Sequence, residues 1–256
     1  MMRYQFLLRE LVLRDLKVRY AGSYLGFLWA FVHPIWQLLI YSVVFSGILR
    51  TPLVGEGTKS FSVFLFAGLL MWMGFSEGLQ RGTTSVVEGA HLVKRQSFPS
   101  QILVIASALS AILHSGIAVG VFFVLRMAVG GIAWTQLPAF LVAVAMQFLL
   151  TCGIALLLAA IYVYLRDVTH ALNLVFSFLF FLTPIVYPLG IVPQRFAPVV
   201  ALNPLSTVVA AYRGFFVRSA PPSLVALLGL TVFASAVFAA GWAVFSRLSR
   251  GFADEL

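Results

Sequence analysis

The stretch Leu11–Phe45, LVLRDLKVRYAGSYLGFLWAFVHPIWQLLIYSVVF, decides the fold. Its first part is a charged helix, too polar to enter a bilayer. Its second part is an apolar run long enough to cross one, since about 20 mainly apolar residues span the hydrocarbon core. Gly22, Ser23 and Gly26 lie between them, small residues that permit a bend. A surface helix feeding directly into a span predicts a device worked from one side of a membrane.

Working outward, the polar part extends back over residues 3–20 as an amphipathic helix. Arg3, Glu10, Arg14 and Lys17 fall on one stripe, and Tyr4, Leu7, Leu8, Leu11 and Val18 on an adjoining face. Such a helix lies in the interface without crossing it. The whole chain agrees: 61% of its 256 residues are apolar and 10% charged, where a soluble domain carries about a quarter charged residues. This is an integral membrane protein of one domain. The net charge of +9 sits mostly beside spans, where cations set orientation and meet anionic lipid. Nucleic acid is therefore not expected as a partner. A single cysteine, Cys152, allows no intrachain disulfide, and no cleavable signal peptide is expected.

Six spans are expected, at roughly 27–49, 61–80, 102–128, 136–164, 170–188 and 224–246. With the N-terminus inside, eleven of the seventeen lysines and arginines fall on the cytoplasmic side. By the positive-inside rule both termini are cytoplasmic. The stretch 184–212 is apolar but broken by Pro184, Pro188, Pro193, Pro198 and Pro204. An interior proline costs a helix about 3 kcal/mol. The preferred reading is a re-entrant pair of short helices dipping in from the outer face, which survives at depth only against protein or a water-filled path. The alternative is an irregular outer loop. Inside, the connection Gly82–Pro99 carries Glu88, His91, Lys94 and Arg95 at helical spacing. It reads as a docking surface for a cytoplasmic partner or as a solvated turn.

Several chemistries are missing. The segment Gly55–Ser60 (GEGTKS) lacks the glycines that a P-loop needs around its lysine, so any ATP is handled by another chain. His33, His91, His114 and His170 stand apart with no ligand spacing for a metal. Only Glu77 approaches a membrane-depth acid, which weakens an ion-coupled carrier. Among the 24 phenylalanines, Phe178 and Phe181, with Tyr187, crowd the fifth span before the broken segment. They are packing bulk, or they line a path and stack on sugar rings.

The run Arg14, Asp15, Leu16, Lys17, Arg19, Tyr20, then Ser23, Leu25, Gly26, Leu28, Trp29, then Pro34 and Tyr41, closely resembles the start of permease subunits of bacterial polysaccharide ABC exporters. Phe98-Pro99, Arg166-Asp167 with Thr183–Pro188, and Asn203-Pro204-Leu205 with Tyr212-Arg213 continue the resemblance in order. It implies a homodimer with six spans per subunit. It also implies an interface helix at 3–20, a coupling helix at about 84–97 and two outer re-entrant helices within 185–212. Two copies of an ABC ATPase would bind below and carry the ATP and magnesium. The substrate would be a lipid-linked polysaccharide of the O-antigen, capsule or teichoic acid type, moved out across the cytoplasmic membrane. On this reading Glu88, His91, Lys94 and Arg95 dock the ATPase, with Asp15 and Arg19 assisting. Phe178, Phe181 and Tyr187 line the channel, and Arg195 and Arg213 meet an anionic sugar or the lipid phosphate. A small-molecule ABC-2 exporter shares the architecture and is the alternative.

Overall fold

The computed structural model describes residues 2–20, 22–49, 58, 60–94 and 98–256. Among these the regular structure is helical, with no strand. The N-terminal helix α1 (Met2–Val18) leads through a turn into α2 (Trp29–Tyr41), which opens with a 3-10 turn at Gly26–Leu28 and ends as π-helix over Ser42–Ile48. The bend between them uses the glycines: Gly22 has φ +79° and Gly26 φ +52°, a region where a side chain is strained. Of α1, Val12 faces inward and is buried, while Glu10, Arg14 and Lys17 are exposed as expected. Val18, expected on the apolar face, is instead 64% exposed, because the helix ends there and the chain turns away.

The long helices follow: α3 (Phe61–Glu88), α4 (Ala90–Val93), α5 (Gln101–Ala128) and α6 (Leu137–Tyr164). Then come α7 (Val168–Leu182), α8 (Ala197–Leu202), α9 (Pro204–Val217), α10 (Leu224–Leu248) and α11 (Phe252–Glu255). Among the described residues, five segments are long and apolar enough to cross a membrane: Gly26–Ile48, Phe61–Glu88, Gln101–Ala128, Trp134–Tyr164 and Leu224–Gly251. The expected fifth span, 170–188, differs. There the helix α7 has 15 residues and is about 22 Å long at 1.5 Å per residue. Thr183 is extended (ψ 133°), as the residue before Pro184 must be, so the helix stops short. Arg50, Lys59 and most of the Gly55–Ser60 segment lie outside the described residues.

Helix α3 is the axis of the bundle. It packs against α5, α6 and α9 and buries most of its residues. Gly74, Gly78 and Gly82 line one side, where a Cβ would meet Ser115 Oγ at 2.6 Å, Thr151 Cγ2 at 2.9 Å and Ala155 Cβ at 2.7 Å. Close approach of α3 to α5 and α6 therefore requires glycine at these positions. Helix α6 crosses α10 at Gly153 and Gly241, backbone against backbone.

A polar plug fixes register within the apolar core. Gln147 Nε2 donates to the Met71 carbonyl at 2.9 Å, and its Oε1 accepts from Tyr212 at 3.1 Å. Three helices, α3, α6 and α9, are thus joined by one amide, and both of its ends are satisfied. Around it Phe140 stacks on Phe215 at 4.8 Å and meets Phe216 edge-on at 5.4 Å.

Candidate functional site

At one end of α3 the chain breaks at Gly89, whose missing side chain would meet Leu103 Cδ1 at 2.8 Å. The connection therefore seats directly on α5. Of the expected coupling segment 84–97, residues 84–94 are the last turn of α3, this break, the four-residue helix α4 and its C-cap Lys94, and 95–97 lie outside the described residues. Glu88, His91 and Lys94 recur every third residue and all three are exposed. Among the described residues their side chains make no hydrogen bond or ion pair, and they are presented outward. Arg95 lies outside the described residues.

Asp15 and Arg19 are placed differently. Both turn inward, one helical turn apart, toward α3 and α5. Asp15 pairs with Arg81 and accepts from Ser110, and Arg19 pairs with Glu77. Arg19 Nε also lies 3.5 Å from Asp15 Oδ2. Arg19 and Asp15 side chains are only 10% and 22% exposed. The four charges sum to zero, as a part-buried cluster requires. The sequence showed each of these residues but not their pairing, which joins positions 58 and 66 apart in the chain. Beside the cluster the Tyr20 hydroxyl lies 3.0 Å from His114 Nδ1. Burial holds the Tyr20 phenol above its ordinary pKa, so it keeps its proton.

At the other end of α3 sits the segment 184–217. Asn203 caps α9: its Oδ1 accepts from Leu205 N at 3.0 Å, and its Nδ2 donates to Thr183 Oγ1 at 2.9 Å. Pro204 occupies the first turn, where no donor is needed. Thus α9 begins where the sequence changes from broken to continuous, and runs to Val217, beyond the expected limit of 212. Arg213 is buried at 4% exposure. Its guanidinium lies 3.4 Å from the centroid of the Phe64 ring and donates to the Ile185 carbonyl at 2.6 Å. Arg126 donates to Phe216 O at 2.8 Å and Arg218 to Ile132 O at 3.3 Å. Of these three cations, Arg126 and Arg218 sit at the C-terminal end of α9, where the helix dipole favours positive charge.

Arg195, by contrast, is exposed and lies over the Phe196 ring at 4.7 Å. Phe181 and Tyr187 line an apolar cavity of about 420 Å³ with Ile191 and Phe196. The Tyr187 hydroxyl donates to the Phe181 carbonyl at 2.9 Å. Phe178 is not part of that cavity. It shares an exposed face of α7 with Phe181, each 66% exposed. Arg213→Ala would leave the Ile185 carbonyl without its charged donor and open space over Phe64. A loss of about 3 kcal/mol is expected, read as a lowered Tm of the purified protein.

The two ends are rigidly linked. From Phe64, under Arg213, to Glu88 the helix α3 rises about 36 Å, slightly more than the ~30 Å hydrocarbon core. One unbroken helix therefore joins the exposed end at Glu88 to the Arg213 end.

Comparison with known proteins agrees with this architecture. The model of the ABC-2 type transporter family matches residues 7–217. The chain is 30% identical to the O-antigen export system permease protein RfbA of Myxococcus xanthus, over 99% of this chain and 96% of that one. It is 26% identical to the RfbA permease of Klebsiella pneumoniae, over 95% and 92%. With the polysialic acid transport protein KpsM of Escherichia coli it shares 24% identity over 79% and 78%. A multi-pass helical bundle matched along most of its length in this way belongs to the ABC-2 type transporter family of membrane proteins.

Proposed function

We propose that the chain is the membrane subunit of an ATP-driven exporter that moves a lipid-linked polysaccharide out across the bacterial cytoplasmic membrane. The observation that carries this is the near-complete alignment with permeases named for O-antigen and polysialic acid export. The exposed Glu88, His91 and Lys94 on a rigid helix end support an ATPase docking surface there, to which Arg95 would add. Two copies of the chain pair, two ATPase chains bind below, and those chains hold the ATP and magnesium. Both termini face the cytoplasm. Helix α7 completes a sixth span, and α8 with α9 forms the re-entrant pair. Asp15 and Arg19 assist docking indirectly, by clasping α1 to α3 above the contact. Phe181 and Tyr187, with Phe178, line the outer path, and Arg195 meets the glycan there. Arg213 supports that wall through Ile185 and Phe64.

Charge reversal at Lys94 and Arg95 is expected to reduce ATPase co-purification and export at least tenfold while the permease remains folded. Unchanged export would remove the docking role. The function itself is tested in cells lacking the gene. Lipid-linked glycan should accumulate on the cytoplasmic side and vanish from the surface. Normal surface glycan, with no trapped intermediate and no second exporter, would instead favour the small-molecule exporter.

A further inference from the structure

The end of the bundle that holds Arg213 carries two more arginines with no carboxylate to answer them. Arg126 lies in the last turn of α5, and Arg218 follows α9 as its C-cap. Their guanidiniums converge on one turn of chain. Arg126 donates to the Phe216 and Gly131 carbonyls, and Arg218 to the Ile132 carbonyl. They are close enough that Arg126 feels the charge of Arg218. Among the described residues neither forms an ion pair. The carboxyl end of α9 offers about half a unit of negative charge against two full positive ones, so more than one positive charge is left over. The backbone at Arg218 points the same way. At φ +60° it is the one non-glycine residue in the left-handed region among those described. Glycine is the usual and less strained residue where a helix ends in this way. Strain of this kind collects at binding and switch sites.

What lies in front of Arg218 decides the occupant. A surface cavity of about 410 Å³ is lined by Ile132, Ala133, Trp134, Thr135 and Arg218. Arg218 is exposed, and the Ile132 carbonyl takes one of its five N–H donors. Trp134 is 58% exposed. It opens one membrane-crossing segment, and Arg126 lies close to the end of another. That is the headgroup level of a bilayer, where indoles anchor. The group always present at that level with the opposite charge is a lipid phosphate. A guanidinium forks onto two phosphate oxygens, the Thr135 hydroxyl adds a donor, and the indole offers the glycerol an apolar face. Arg126 stands behind with its bonds given to carbonyls, and it contributes charge. We infer that Arg218, Trp134 and Thr135 hold the phosphate of one anionic phospholipid at this end of the bundle, with Arg126 as the supporting charge. The inference needs the chain to cross a membrane and does not depend on what it exports.

The test uses the whole chain purified in a neutral detergent. Phosphatidylglycerol, phosphatidylcholine or inorganic phosphate is titrated in, and binding is read by native mass spectrometry and by Tm. Arg218→Gly removes the guanidinium and suits the backbone, so the fold should hold. Arg250→Gln removes an exposed cation beyond the far end of α10. The unaltered chain should bind phosphatidylglycerol more tightly than phosphatidylcholine. Arg218→Gly should weaken phosphatidylglycerol binding about fivefold, equivalent to ~1 kcal/mol, while Arg250→Gln leaves it unchanged. No preference for phosphatidylglycerol, or equal losses in the two variants, would overturn the inference, since the attraction would then be absent or diffuse. A Tm raised as much by inorganic phosphate as by phosphatidylglycerol would also overturn it and leave a site for free anions. If Arg218→Gly does not fold, Arg218→Lys decides. It keeps the charge and loses the fork; weaker phosphatidylglycerol binding is expected, and unchanged binding would remove the phosphate contact.

Discussion

Arg81→Asp is expected to remove most export. The substitution places a second carboxylate against Asp15 where the arginine now pairs with it. Asp15 would then keep the Ser110 hydroxyl and, as its one cation among the described residues, Arg19 at 3.5 Å, and Arg19 already serves Glu77. The site is partly buried, with the Asp15 side chain 22% exposed and Arg81 36%. Two like charges there cost more than at a free surface and less than in a dry core. A loss of about 2–3 kcal/mol in the hold of α1 on α3 is a reasonable scale, enough to free the N-terminal helix in a large share of molecules. The measurement is surface glycan per cell, with the Tm of the purified permease alongside. Adding Asp15→Asn to Arg81→Asp removes the repulsion and should recover part of both signals. That sign of epistasis is the decisive reading. If the double variant is worse than Arg81→Asp alone, the two residues act separately and the clasp is not what joins the helices.

Gly153→Leu should be the most damaging single substitution at a position with no polar role. A Cβ on Gly153 would lie 2.7 Å from Phe238 N and Cα, and one on Gly241 would strike the Gly153 carbonyl. Backbone cannot step aside as a side chain can, so α6 and α10 must separate. Overpacking costs about 1–3 kcal/mol where side chains can adjust, and this contact should reach or exceed the upper figure. The expected outcome is a large fall in Tm and loss of monodisperse protein after extraction. Gly229→Ala is the control: nothing lies within 4 Å of a Cβ there. It should be neutral or stabilise by up to about 1 kcal/mol, because alanine favours helix over glycine. Equal damage from both would show that glycine content, and not the crossing, sets stability.

The lesson from these sites is uneven. The exposure of the charges at 88–94 was legible because charged residues at helical spacing look the same in sequence and in structure. Glu88, His91 and Lys94 do stand together on the surface. The channel candidates were legible only as a group. Phe181 and Tyr187 share a cavity wall while Phe178 does not, since that depends on how the chain returns after Pro184. Arg213 looked like one more outer cation, yet it is among the most buried charged groups described. Its partners, Ile185 and Phe64, lie 28 and 149 positions away.

By itself the sequence determined what depends on composition and short-range pattern. Apolar run length set the long helices, small residues set the bend after α1 at Gly22 and Gly26, and proline ended α7 and opened α9. Each follows from forces acting within about one helical turn or from the cost of polar groups in hydrocarbon. Only the tertiary structure decided which charges neutralise one another and which glycines touch backbone. Those outcomes depend on partners far along the chain. A part-buried charge takes whatever opposite charge packing brings within reach, and periodicity carries no record of that choice.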